Sequence, residues 1–564
     1  MSNQESEDIR SFLDQGKFSL VIKKLALNED KKYPWWEIEA YLGMNDSKKV
    51  QILLESYNTE NLCHEDQILL IYYKVIHHTN IGEFDKAIKL IEFLFTQFEL
   101  DSNHGYKIYF LNQLGMAKLR KYGINDTVEV EDQVEKILLE EKLDDKKAIS
   151  SGYHFLATIK GLKGNIKESR AYYEKAIEIN QKNNYTVELS RNYNNIATLF
   201  RLEGDLAQAL SYHMKALELR KTIENEQLRA ISYNNIAIIF HDMGKLHQAL
   251  EFYIKAREFF DQTEQMDRIS QILMNIAILY KDLGFFRKAE DTLNESLILL
   301  ENNENKDYLA KALANLSMIH LDQGDFVTAK SVMEKALVYW IDIGSRYDLA
   351  MTIVDLARIL FETGELDEDN PIIKKFPPPP YESSIIEGIS FILQAYFALN
   401  KRQFELAEKL FSKSLTFSGV EYAYIVLAHK KLTEIALIRW QMDQSLENLQ
   451  KIRECLSDYE EMCRDNHLTA DLCQVYLLKA KFEETIFHFD ESEELLVQAS
   501  LIAEENGLNL HKKLIKKEIE KNILKKEFSA SLGTNSLLEI NPLSIEEIKN
   551  YFHDFTQFLA DADD

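Results

Sequence analysis

An all-α fold of stacked antiparallel helical hairpins is predicted by three observations. Glycine recurs at forty-residue steps, at Gly164, Gly204, Gly244, Gly284, Gly324 and Gly364. Eight residues before each stands a branched aliphatic (Leu156, Ile196, Ile236, Ile276, Leu316, Leu356), followed by a small residue (Ala157, Ala197, Ala237, Ala277, Ser317, Ala357). Nowhere in the period do β-branched and polar residues alternate between turn signals, so no strands are expected. A fixed period of this size marks supersecondary units that bury their apolar faces only by stacking.

One unit shows the logic. Asn194 to Phe200 carries apolar residues at helical spacing and forms the first helix. Gly204-Asp205 is the break, because glycine takes the positive φ that a helix end needs. Leu206, Ala209, Leu210, Tyr212 and Ala216 then mark the apolar stripe of a second helix. Ala197, Ala209 and Ala216 let the two axes approach closely while larger neighbours fill the grooves.

These residues resemble the tetratricopeptide repeat family. Its pattern is met in one repeat by Tyr193, Ile196-Ala197, Phe200, Gly204, Ala209 and Ala216, with His213 where a second aromatic would stand. The next repeat supplies Tyr233, Ile236-Ala237, Phe240, Gly244, Ala249, Tyr253 and Ala256. The resemblance implies a right-handed α-solenoid. Two departures stand out. The period exceeds the usual thirty-four, which lengthens each unit by about 9 Å. No proline closes the repeats, since all seven prolines lie outside 150–364. Forty-residue units of this kind are similar to those of kinesin light chains and spindle-orientation adaptors.

The expected organisation follows the strength of the pattern. Divergent helical repeats occupy 1–146, where Gly16-Lys17-Phe18 and Gly82-Glu83-Phe84 each open a second helix and a degenerate copy surrounds Gly123. The regular array covers 147–366. An acidic and proline-rich linker, 367–381, joins it to a second array, because the Pro377–Pro380 run imposes extended geometry. Divergent repeats resume over 382–527, with hairpins around Trp440–Leu456 and Phe487–Ala499. They end on a basic capping helix, His511–Lys526, whose apolar side is Leu514, Ile515, Ile519 and Ile523. Over 528–564 a linker leads to a terminal amphipathic helix, opened by a capping box at Ser544 and Glu547 and running to about Leu559. That helix is expected to dock on the C-terminal repeats.

Composition narrows the function. Ninety-two acidic against sixty-six basic residues give a net charge of −26, which repels nucleic acid and anionic membrane. The polar start Met1–Asp8 is unlike a signal peptide, and no apolar run reaches membrane-spanning length, so a cytoplasmic protein is expected. Cys63, Cys455, Cys463 and Cys473 lack metal-ligand spacing and are expected to be buried reduced thiols, with no metal or cofactor. Phosphate-loop, HExxH and GxSxG patterns are absent, so no catalytic residue is named.

Binding is expected on the inner face, formed by the first helices. Asn195, Asn235, Asn275 and Asn315 lie forty apart, with Asp355 next in register. Asparagine disfavours mid-helix by roughly 0.7 kcal/mol relative to alanine, and its amide suits the backbone of an extended peptide. The family resemblance implies that use; bonding between neighbouring repeats is the alternative, and both can hold. Around the ladder stand Arg191, Asn194, Thr198 and Arg201; Asn234, Ile238 and His241; Gln271, Ile278 and Lys281; Lys311 and Met318. This lining suits a peptide with acidic and aliphatic side chains. The chain is thus expected to be a non-enzymatic scaffold or adaptor binding an extended protein segment. The alternative is a ligand- or peptide-gated sensor that controls a partner by tightening the superhelix, as forty-residue repeats do in bacterial peptide receptors.

Overall fold

The computed structural model describes residues 3–532 apart from 27–33, 58–61, 99, 101–103, 140–142, 264, 284, 302–305, 382, 418–419, 421, 466–467, 487 and 506–508. Gly284, Phe487 and the helix expected from Ser544 lie outside the described residues. Among the described residues there are helices and turns and no strand. The chain divides into two compact units, residues 1–201 with 207–232 and residues 202–206 with 233–564.

The first unit opens with α1 (Asn3–Asp14), α2 (Phe18–Ala26), α3 (Pro34–Gly43), α4 (Ser47–Ser56), α5 (His64–Asn80) and α6 (Phe84–Gln97). It continues with α7 (His104–Tyr122), α8 (Val128–Leu139), α9 (Lys146–Leu162), α10 (Ile166–Asn183), α11 (Thr186–Leu202), α12 (Leu206–Thr222) and the start of α13 (Glu226–Asp242). Gly16, Gly82 and Gly123 take positive φ, as the weak copies require.

One feature of this unit escaped the sequence pattern: its N-terminus folds back on the regular repeats. Ile9, Leu13, Phe18, Val21 and Ala40 share a core with Val187, at the start of α11, and with Ile223, after α12. Ser19 donates through N–H and Oγ to Glu224 at 2.5 and 2.8 Å. Asn225 Nδ2 donates to the Gly43 carbonyl at 2.6 Å. Between these elements Lys147 is held by Asp14 at 2.6 Å, Glu188 at 3.3 Å and Glu39 at 3.8 Å.

The second unit holds the rest of α13, then α14 (Leu246–Gln262), α15 (Met266–Asp282), α16 (Phe286–Glu301), α17 (Lys306–Asp322), α18 (Phe326–Ile343) and α19 (Arg346–Glu362). After the proline-rich segment come α20 (Ser384–Asn400), α21 (Phe404–Ser414), α22 (Tyr422–Met442), α23 (Leu446–Asp465), α24 (Thr469–Thr485), α25 (Phe489–Glu505) and α26 (Asn509–Leu532). The hairpin turns are repeats of one device. At Gly244 (φ 68°) the glycine N–H bonds the His241 carbonyl and the Lys245 N–H bonds the Phe240 carbonyl, both at 2.8 Å. A side chain at that φ is strained, which is why glycine keeps the position.

Small residues do the close packing inside each hairpin. Ala237, Ala249 and Ala256 are fully buried, as are Ala277 and Ala289. Serine substitutes where its hydroxyl finds a backbone acceptor: Ser317 Oγ donates to the Ala329 carbonyl at 2.6 Å, and Ser296 Oγ to the Ser270 carbonyl at 3.2 Å.

Three details differ from expectation. The proline-rich segment is packed rather than a bare joint: Ile373 belongs to one core that runs from Leu321 to Ile435, and Ile372 and Phe376 pack against it. Helix α26 reaches Leu532, into the stretch expected to be linker, and it turns Asn522 inward while Ile523 stays exposed. Asn522 Nδ2 bonds Ser492 Oγ at 2.6 Å and Glu518 pairs with Lys481 at 3.4 Å, so the cap docks through polar contacts as well as Leu514 and Ile515. Of the four thiols expected to be buried, Cys63 is exposed.

Candidate peptide-binding groove

In the first unit the ladder begins at Asn195, half-buried on α11, whose Nδ2 donates to Tyr173 Oη at 3.2 Å. Its Oδ1 accepts from Asn194 Nδ2 at 3.3 Å, and Asn194 Oδ1 accepts from Arg220 at 3.4 Å. Arg191 and Thr198 are exposed and Arg201 is half-buried on the same helix. Arg191 also acts electrostatically on Glu188, whose carboxyl burial would raise but which Lys147 and Arg191 together hold below the usual range.

In the second unit the ladder is knitted by its buried neighbour. Asn234 donates to Asn235 Oδ1 at 3.4 Å, and Asn275 Nδ2 reaches back to Asn234 Oδ1 at 3.1 Å. Bonding between neighbouring repeats is therefore present at this step. It does not exhaust the ladder: among the described residues the Asn275 carbonyl and both ends of the Asn315 amide have no partner, and both side chains are half-buried. Gln271, Ile238, Ile278 and Met318 are half-buried alongside them.

The basic side chains of this lining meet carboxylates of the same array. His241 Nε2 meets Asp282 at 2.9 Å, and Lys281 meets Asp282 at 3.0 Å and Asp322 at 3.3 Å. Lys311 pairs with Asp307 at 2.9 Å. Burial opposes charge on Asp282, yet Lys281 and His241 outweigh it and hold that carboxyl well below the usual range. Both lysines are thus compensated and His241 already has a carboxylate partner, so a ligand carboxylate would have to displace a resident one. The signal was in the sequence: Asp242, Asp282, Asp322 and Glu362 also recur at forty.

His213 stands at the register position of Tyr173 and Tyr253, and its Nδ1 is buried without a partner. Burial, then Arg220 and Arg201, hold its pKa down to about 3. The unfolded chain gains that proton from about pH 6.5 downward. Stability contributed by the neutral ring is therefore present above about pH 6.5 and lost as pH falls toward 3. His213→Tyr should flatten the loss of stability between neutral pH and about 4.5, read as urea midpoints at the two pH values. An unchanged pH slope would contradict the assignment.

A family model described as tetratricopeptide repeat matches residues 148–222, 188–262, 228–302 and 268–338, each match starting forty residues after the last. Residues 148–338 belong to the tetratricopeptide repeat family. No curated protein matches the chain. Among solved structures, the apo form of the quorum sensor NprR from B. thuringiensis is 13% identical, with 70% of this chain and 99% of that one covered and a TM-score of 0.43. The apo form of RapI is 16% identical over 60% of this chain and 94% of that one, with a TM-score of 0.41. BtubC from P. vanneervenii is 19% identical over 39% and 91%, with a TM-score of 0.33. No described helix is long and apolar enough to cross a membrane.

Proposed function

We propose that the inner face of the central repeats binds an extended segment of another protein without catalysing a reaction on it. The observation that carries this is the pair Asn275 and Asn315, half-buried at one register on α15 and α17, where no described residue engages the Asn275 carbonyl or the Asn315 amide. A mid-helix asparagine amide left open costs stability unless something meets it, and a peptide backbone offers both a donor and an acceptor. Ile238, Ile278 and Met318 supply apolar area beside it, about 25 cal/mol per Å² covered. Because Lys281, His241 and Lys311 already have carboxylates, the aliphatic character of the ligand is better supported in this stretch than the acidic one.

The test is selection of a displayed random dodecapeptide library on the immobilised full chain, followed by binding to an Asn275→Ala/Asn315→Ala variant. Selected peptides that bind the variant at least tenfold more weakly support the groove. Peptides that bind both proteins equally would overturn it.

A gated sensor is favoured by one further observation, the docking of α1–α3 on the starts of α9, α11 and α13. Any change in those repeats on binding must strain that contact. Faster amide exchange in α1–α3 with a selected peptide bound is the expected sign, and unchanged exchange would leave the plain scaffold.

A further inference from the structure

Helix α26 begins at Asn509, forty residues after α24 begins at Thr469, so it stands where the first helix of another hairpin belongs. In the complete hairpins of the second unit a first helix is covered on one side by its own second helix. Phe240, fourteen residues into α13, packs its ring on Phe252 of α14 with the centroids 5.4 Å apart. Cys473 of α24 reaches the Ala499 carbonyl of α25 at 3.5 Å. Helix α26 has no such second helix after it among the described residues.

Its sides differ accordingly. His511, Leu514, Ile515, Glu518 and Asn522 are buried, and this side packs on α24 and α25. The position fourteen residues into α26, equivalent to Phe240, is Ile523, and it is 45% exposed. One turn earlier Ile519 is half-buried, and Leu524, next to Ile523, is 65% exposed. An open apolar side at the end of a helical array is a stacking surface, which is why such arrays need a cap. Charge marks the same helix. Lys521, Lys525 and Lys526 already meet Glu518, Glu484 and Glu493. Lys512, Lys513 and Lys516, nearer its start, have no carboxylate partner among the described residues.

The sequence that follows is complementary on both counts. Ile545, Ile548, Phe552, Phe555 and Leu559 fall on one stripe at helical spacing. Residues 544–564 carry six carboxylates against one lysine, and three of the six, Asp561, Asp563 and Asp564, lie past the stripe. We infer that residues 544–559 form the second helix of the last hairpin, antiparallel to α26. The stripe covers Ile519, Ile523 and Leu524, and the trailing aspartates meet Lys512, Lys513 and Lys516. The spacing is consistent: with Ile548 level with Ile523, Phe552 falls level with Ile519 and Leu559 level with Lys512. The tether is long enough. Helix α26 ends at Leu532, nine residues or about 14 Å past Ile523. The eleven residues 533–543 span about 18 Å as a flexible chain.

Hydrogen exchange of the full chain, read by mass spectrometry on peptides from 544–559, tests this. In the parent these amides should be protected, and to the same extent after about tenfold dilution of the protein. Ile519→Asp/Ile523→Asp changes two side chains outside the buried side of α26. It should speed exchange in 544–559 about tenfold or more and leave α24 and α25 unchanged. Lys512→Glu/Lys516→Glu should speed it severalfold, and so should about 0.5 M salt in the parent, since exposed charges are screened. Phe552→Asp/Phe555→Asp should speed exchange at the end of α26, a response that loss of helix in 544–559 alone would not give. Should the isoleucine variant not fold, this last one decides. Free exchange of 544–559 in the parent, or protection that survives Ile519→Asp/Ile523→Asp, would overturn the assignment. So would protection that falls on dilution, the sign that a second copy covers the face.

Discussion

Lys147→Ala is expected to lower the stability of the first unit by about 3–5 kcal/mol, the cost of breaking a buried ion network by removing one partner. The lysine is the hub between the returning N-terminus and the repeats, and its side chain is only 16% exposed. It touches carboxylates from three directions: Asp14 on α1, Glu39 on α3 and Glu188 on α11. Without it Arg10, at 3.0 Å from Glu39 and 3.6 Å from Asp14, faces these charges alone. The Asp14 carboxyl already shows the cost, because burial raises its pKa further than Lys147 and Arg10 lower it. Denaturant unfolding of parent and variant measures the loss, and amide exchange locates it in α1–α3. A change below about 1 kcal/mol, the range of an exposed pair, would mean that the network is solvated.

Trp340→Ala should cost a similar amount, about 3–5 kcal/mol, through the cavity left by a large aromatic group. Trp340 is 1% exposed and ends the second helix of its hairpin at the register of Phe260 and Leu300. Urea unfolding of parent and variant checks this, and a loss below about 1 kcal/mol would show that the hairpin collapses around the gap.

The repeat fold was legible because stacking imposes the same demand every forty residues. Gly244 must reverse the chain, Ala237 and Ala249 must admit a close helix, and each demand is met by a residue type that little else explains. The return of the N-terminus was not legible. Ser19 and Glu224, or Gly43 and Asn225, have no periodic relation, and a pair of residues that meet across some two hundred positions leaves no local trace. The candidate site was half legible. The asparagine register was visible, and so in principle was the acidic register through Asp282 and Asp322, but pairing is a fact of distance and sequence gives none. Nothing in the sequence separates Arg220 from a surface arginine at the end of a helix; only its burial marks it.

The groove is the central claim, and isothermal titration of a selected dodecapeptide tests it most directly. Parent protein is compared with Asn275→Ala/Asn315→Ala, after circular dichroism and unfolding show both to be folded. Each lost amide contact should weaken binding by about 1–3 kcal/mol, so the double variant should bind at least tenfold more weakly. A double variant that melts well below the parent, yet binds the peptide unchanged while folded, would show that the ladder only ties neighbouring repeats together and that the ligand lies elsewhere.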